Sequence, residues 1–422
     1  MNPMHEEMAR NAMKHTKRLS WLSGITLVML ALFINACSTT ASNANATSTA
    51  QGTTATTGQQ QQTSATSTTS NTTSHVTVLP TLPFTQIRMT DATHGWALDN
   101  DNVLKTSDGG KTWVALTPNG AVISPGTHAD FMNALYAWFT MPNGNANTMT
   151  LFYTTTGGAT WNSSIIHEAA PDGGWLTFVS NKTGWLEVAP SGSGAGSEGV
   201  NILRTDNGGA TWEKISSSGQ GQNSLPTGGI KSGLSFVNTA TGWATGEDAS
   251  NTPWLYMTHD GGTTWYKESI SGLNSNANTG YQTLPPVFIS NDGFLPLLAT
   301  GQSPHTILAH STNDGATWTV SGQESAAFQS SNLYVVNTQT AWATDQNSGD
   351  VYQTTNSGAT WQKVASNTGI YGPLSFINST TGFGLGQADQ TVLKRTNDGG
   401  KTWQTIAYQI RQEPCPLNGT GL

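Results

Sequence analysis

Cysteine is almost missing: the 422 residues hold two, Cys37 and Cys415. No disulfide framework can therefore brace the fold, and stability has to come from packing. Charge is scarce too, with Asp, Glu, Lys and Arg making up 10% of the chain, against ~25% in ordinary soluble domains. From Cys37 onward, 13 Lys plus Arg face 23 Asp plus Glu, a formal balance of −10. So sparse and mildly acidic a surface argues against nucleic acid and anionic lipid as ligands, because both demand clustered basic side chains. The main apolar run, from Trp21 to Ile34, falls short of the ~20 residues that span a bilayer. His94, His128, His167, His259, His305 and His310 lie singly, without the close spacing of a zinc motif. Neither a Gly-x-Ser-x-Gly elbow nor a phosphate-binding loop occurs. No metal and no cofactor is expected.

What is present begins with an address. Lys14, Lys17 and Arg18 precede the apolar run, which ends in Ile34-Asn35-Ala36-Cys37. Basic residues, a short apolar segment and small residues before a cleavage point are read by the secretion machinery. The cysteine after Ala36 resembles a bacterial lipobox, which implies a signal peptide over 1–36 and lipid on Cys37; the alternative is an uncleaved anchor. Ser38 to Ser74 is almost wholly Ser, Thr, Ala, Gln, Asn and Gly, without a charged or aromatic residue. That composition cannot offset the entropy of ordering, so 37–75 is expected to be a disordered stalk with a reach of roughly 30–35 Å.

One octapeptide then recurs seven times. It runs Thr106-Ser-Asp-Gly-Gly-Lys-Thr-Trp113, and again to Trp161, Trp212, Trp265, Trp318, Trp361 and Trp403, at spacings of 48, 51, 53, 53, 43 and 42 residues. Its third position holds Asp108, Asp260 or Asp398, the amides Asn207, Asn313 and Asn356, and once Thr156. Asp and Asn accept bonds from nearby backbone amides in tight turns, Gly-Gly supplies positive φ, and the closing Trp starts a strand with a large ring to bury. The pattern resembles the Asp-box, or BNR, repeat of sialidases, sortilin-type receptors, xyloglucanases and photosystem II assembly and stability factors.

Upstream of each box stands a second motif: Gly95-Trp96, Ala137-Trp138, Gly184-Trp185, Gly242-Trp243, Gly293-Phe294, Ala341-Trp342 and Gly382-Phe383. Each unit thus reads as apolar strand a, turn, strand b, loop, strand c, box turn, strand d. Four antiparallel strands repeated at this period make a propeller blade. The expected fold is all-β, a single seven-bladed propeller over 76–411 with a tail at 412–422. Blade 7 reads as complete from Leu374 to Ile410. Val76-Thr-Val-Leu79 either latches the ring beside the terminal blade or is the frayed end of the stalk.

Strand polarity puts the a–b and box turns on one face and the b–c and d–a loops on the other. All the irregular loops fall on that second face, where function is expected. Its candidate contact residues are Trp175, Trp254, Tyr281, Tyr371, His128 and Asp130. Trp175 breaks the repeat at the start of an inner strand, near the channel mouth. The alternative for each ring is packing against a neighbouring loop.

The resemblance invites enzyme readings, which the residues resist. Sialidases use three convergent arginines, whereas the exported part has Arg88, Arg204, Arg395 and Arg411, of which Arg88 alone is placed near the centre. A xyloglucanase-like mechanism needs two carboxylates across a cleft, a cleft that family usually builds from two propellers. Over residues 84–410 the chain is most similar to the photosystem II assembly and stability factor family, without that family's arginine-rich patch. That similarity implies a non-catalytic membrane scaffold with a protein client; the alternative is a carbohydrate-binding or glycoside-hydrolysing propeller of the envelope.

Overall fold

Each octapeptide folds by bonding its first residue to its third and fifth. In the fourth box, Thr258 Oγ1 donates to Asp260 Oδ1 at 2.8 Å and accepts from Gly262 N at 2.9 Å. Asp260 Oδ1 in turn accepts from Thr263 N and Thr264 N, and Trp265 Nε1 donates to Gly262 O. The bond from the seventh residue's amide to the third side chain recurs at Asp108, Asn207, Asn313, Asn356 and Asp398, and the indole bond recurs at Trp113 and Trp403. Even Thr156 substitutes its hydroxyl, accepting from Thr160 N at 2.9 Å. All seven first residues, Thr106, Thr154, Thr205, Thr258, Ser311, Thr354 and Thr396, are buried. Replacing Thr258 with valine strands the Gly262 N–H and should cost about 1–3 kcal/mol, measurable by urea unfolding. Asp398, held down to about 2 chiefly by the Thr402 hydroxyl, adds stability above its ordinary 3.8 that is lost as pH falls through about 2.

The computed structural model describes residues 77–412, apart from loop residues 125–126, 145–146, 169, 171–172, 191–193, 195, 249–251, 274–278, 302–303, 321–327, 331 and 387–390. The expected signal peptide and stalk, with Cys37, and residues 413–422 lie outside it. The architecture is all-β: seven antiparallel four-stranded blades arranged as a propeller. Their inner strands are Phe84–Met89, Ala129–Phe131, Gly174–Phe178, Ile230–Phe236, Gly280–Thr283 with Val287–Ile289, Leu333–Val335, and Ile370–Phe376.

The Gly-Trp motifs bolt each blade to the next. Trp138, Trp185 and Trp342 donate their indole N–H to Gly208, Gly261 and Gly399 in the following blade's box. Their rings stack on Phe178, Phe236 and Phe376 of the following inner strand, at 3.9, 3.6 and 3.8 Å between centroids. The box tryptophan then meets that phenylalanine edge-on, as Trp265 does with Phe236. In the fifth box Asp314 occupies the first-glycine position at φ 56, and Trp243 Nε1, which would meet it, has no partner among the described residues.

Closure differs from the reading of blade 7 as complete to Ile410. Its strands are Ile370–Phe376, Gly382–Gly386, Val392–Thr396 and Gln404–Ile406. The chain then crosses over, and Gln409–Gln412 pairs in parallel with Thr112–Ala115, the outer strand of blade 1. Thr77–Leu79 pairs antiparallel with Gln409–Gln412. The N-terminal strand is therefore a latch, but on blade 1. Ile410, fully buried, joins a core that unites Phe84, Trp113 and Leu104 with Phe383, Leu385 and Leu393 of blade 7. Ile270–Ser271 makes the same parallel crossover onto the outer edge of blade 5.

Candidate functional site

The inner strands are stitched around the channel by side chains, and two expected contact residues are among the stitches. Gln86 donates to Ala129 O, Asp130 Oδ2 accepts from Phe178 N at 2.7 Å, and Trp175 Nε1 donates to Leu234 O at 2.9 Å. Ser235, Asn332 and Ser375 continue the series to Pro286 O, Tyr371 O and Met89 N. Asp130 thus joins blades 2 and 3 and is half-buried. Burial raises its carboxyl, opposed by the Phe178 bond and the charge of Arg88.

The six contact candidates separate. Trp254 and Tyr281 are 1% and 5% exposed and belong to the core, so neither presents a contact surface. Trp254 carries the Lys231 ammonium over its ring at 4.9 Å. Tyr371 is half-buried beside Gly349. His128 is also half-buried, and burial lowers its imidazole pKa. Trp175 alone stands open, at 36% exposure. Its indole lies flat on Gly233, where any Cβ would come within 2.3 Å of the ring and where φ is +121°; His128 stands on another side, 6.0 Å between centroids.

Beside Trp175 on the loop face opens a pocket of about 240 Å³, lined in part by His128, Glu187, Glu198, Lys231 and Gly233. Glu187 sits directly across from Trp175 in the blade 3 sheet. It is 6% exposed, and its Oε2 has no hydrogen-bond partner among the described residues. Burial pushes Glu187 up to about 8, with the charge of Glu198 adding and that of Lys231 opposing. Burial likewise pulls Lys231 down to about 8, against both carboxylates. Lys231 Nζ bonds the carbonyls of Glu198, Pro226, Thr227, Gly228 and Gly229 at 2.5–3.4 Å. Its backbone N–H donates to Glu198 Oε2 at 2.7 Å.

Glu187 and Lys231 were not among the residues expected from the sequence, although a signal existed for the acid. The fourth position of the Gly-Trp strand holds Leu98, Thr140, Glu187, Thr245, Pro296, Thr344 and Leu385. One charge in seven otherwise uncharged positions marks a local departure from the blade.

The opposite face has its own cavity, about 550 Å³, where Arg88, Asn133, Phe288, Tyr334 and Phe376 gather at the channel mouth. Arg88 therefore does lie centrally. Arg204 and Arg395 instead cap Trp185 and Phe383 at 5.4 Å on strands of blades 3 and 7, and converge on nothing. Among the described residues, no three His, Cys, Asp or Glu side chains could hold a metal ion.

The family described as Photosynthesis system II assembly factor YCF48 matches residues 217–375, and the chain is similar to it there. The GH74 xyloglucanase from Xanthomonas campestris superposes with a TM-score of 0.54 at 12% identity, over 81% of this chain and 56% of that one. At that identity the likeness shows the propeller fold alone. A GH74 enzyme from Niastella koreensis is 14% identical over 75% of this chain and 61% of its own, with a TM-score of 0.31. This chain thus spans less than two thirds of either. The Aleuria aurantia lectin is 10% identical over 82% of this chain and 99% of its own, with a TM-score of 0.41. No curated protein matches.

Proposed function

We propose that this chain is a non-catalytic binding and assembly scaffold, held by lipid on Cys37 to the outer face of a bacterial cytoplasmic membrane. It engages a protein partner through the irregular loop face. The observation that carries this reading is Trp175: a large aromatic, one-third exposed, fixed on a rigid inner strand at the mouth of a pocket. Aromatic anchors held rigidly at a pocket rim are the residues that dominate protein interfaces. The matched family's description as an assembly factor supports the same role, while the sparse arginine argues for a client other than a photosystem.

Trp175→Ala should leave the fold intact, since the ring is one-third exposed and its bond to Leu234 O is one of six such stitches around the channel, and should deplete partners co-purified from membranes by at least tenfold. An unchanged partner set sinks the reading. Cys37→Ser should move the chain from the membrane to the soluble fraction; retention would rule out the lipid tether.

A second reading, a carbohydrate-binding or glycoside-hydrolysing propeller, draws on the same exposed indole beside carboxyl groups. A glycan array and a fluorogenic glycoside panel test it. Saturable signal on either, lost in Trp175→Ala, would favour it over the scaffold.

A further inference from the structure

The pocket beside Trp175 contains an acid with one oxygen that nothing among the described residues serves. Glu187 is nine-tenths buried and its Oε2 is unpartnered, although a buried carboxyl oxygen without a donor costs about 1–3 kcal/mol or more. Lys231, the cation whose charge reaches it, does not fill the role. The protons of Lys231 are spent on five carbonyl oxygens, and among the described residues it forms no ion pair with Glu187 or Glu198. Glu198 brings a second carboxyl to the wall. His128, lowered by burial, contributes no positive charge near neutral pH. The pocket therefore offers two acids, one of them lacking a donor, under the edge of an exposed indole.

A group completing this site must donate hydrogen bonds, favour negative charge, and tolerate an aromatic face. A guanidinium or ammonium does all three. A volume of about 240 Å³ admits one long side chain and little more. Neutral sugars would satisfy the indole, but they supply no charge to draw the proton from Glu187. We propose that this pocket receives a single cationic side chain, an arginine or lysine projecting from the protein partner. The assignment rests on the loop face being the binding face. As the cation enters, Glu187 gives its proton to solvent and becomes the carboxylate that pairs with it.

That proton release makes the proposal testable without knowing the partner. N-acetyl-argininamide and N-acetyl-lysinamide, titrated into the folded protein and followed by NMR, should bind one saturable site with a millimolar dissociation constant. Affinity should rise about tenfold between about pH 6 and pH 7, because below the Glu187 pKa one proton leaves per cation bound. Glu187→Gln keeps the neutral shape, should fold, and should bind at least tenfold more weakly with no pH slope. Failure to saturate, binding indifferent to pH, or equal binding by Glu187→Gln would each overturn the proposal. So would methyl β-glucoside outcompeting the amides. If the amides fail while Trp175→Ala still depletes the partner, the pocket assignment falls and the binding face stands.

Discussion

Replacing Trp185 with alanine should destabilise the protein by about 3–5 kcal/mol, the range for emptying a buried aromatic site, read from the urea midpoint. The ring is fully buried and lies parallel to Phe236 of the next blade, 3.6 Å between centroids and 1° between planes. It also donates to Gly261 O at 2.8 Å and carries the Arg204 guanidinium on its other side. Alanine thus opens a cavity at the seam between blades 3 and 4, unpairs a buried carbonyl, and leaves Phe236 without its stack. Trp185→Phe separates these effects. It keeps an aromatic face against Phe236 but loses the bond to Gly261 and the smaller ring of the indole, so it should cost about 1–3 kcal/mol. Equal losses in the two variants would mean that the hydrogen bond, not the stack, joins the blades.

Glu187→Gln should do the reverse and stabilise the protein as pH rises. The folded-state carboxyl titrates near 8 and the ordinary one near 4.5. Between those values the unfolded chain has released its proton while the folded protein still holds it. The contribution of Glu187 to wild-type stability is therefore greatest below about 4.5 and falls steadily toward about 8. Glutamine stays neutral and removes that slope. At about pH 7 the gain should be about 3 kcal/mol, seen as several degrees in melting temperature, and it should vanish at about pH 4.5. Lys231 works with the opposite sign. Its amine, lowered from 10.5 to about 8, imposes a cost below about 8 that is relieved as pH climbs to about 10.5. The wild-type profile should accordingly pass through a minimum near pH 8, and in Glu187→Gln only the rise above it should remain. A loss of stability in Glu187→Gln at about pH 7 would show instead that the acid is ionised and paired with Lys231.

These two residues mark how far the sequence can be read. Trp185 belongs to a motif that recurs in every blade, so its burial and the blade count followed from repetition. Each copy repeats one local solution, and the box residues Asp260 and Asn313 bond to amides within four positions. Glu187 owes its state first to burial and then to the charge of Glu198, against that of Lys231, an environment built by loops that differ in every blade. The fates of Trp254 and Tyr281 were hidden for the same reason: an aromatic next to a variable loop can face it or turn beneath it. Closure escaped too, because Gln409–Gln412 pairs in parallel with a strand some three hundred positions earlier, and blade 7 has four strands without it.

The most direct test of the loop face as the binding surface is photo-cross-linking from each side of the ring. Val122, 67% exposed, lies in a d–a loop, and Leu135, 53% exposed, lies in an a–b turn of the same blade's entry. A photoreactive amino acid at either position should leave the fold undisturbed. In intact membranes, the probe at position 122 should give a discrete partner adduct and the probe at 135 none. Adducts from 135 alone, or equally from both, would contradict the account.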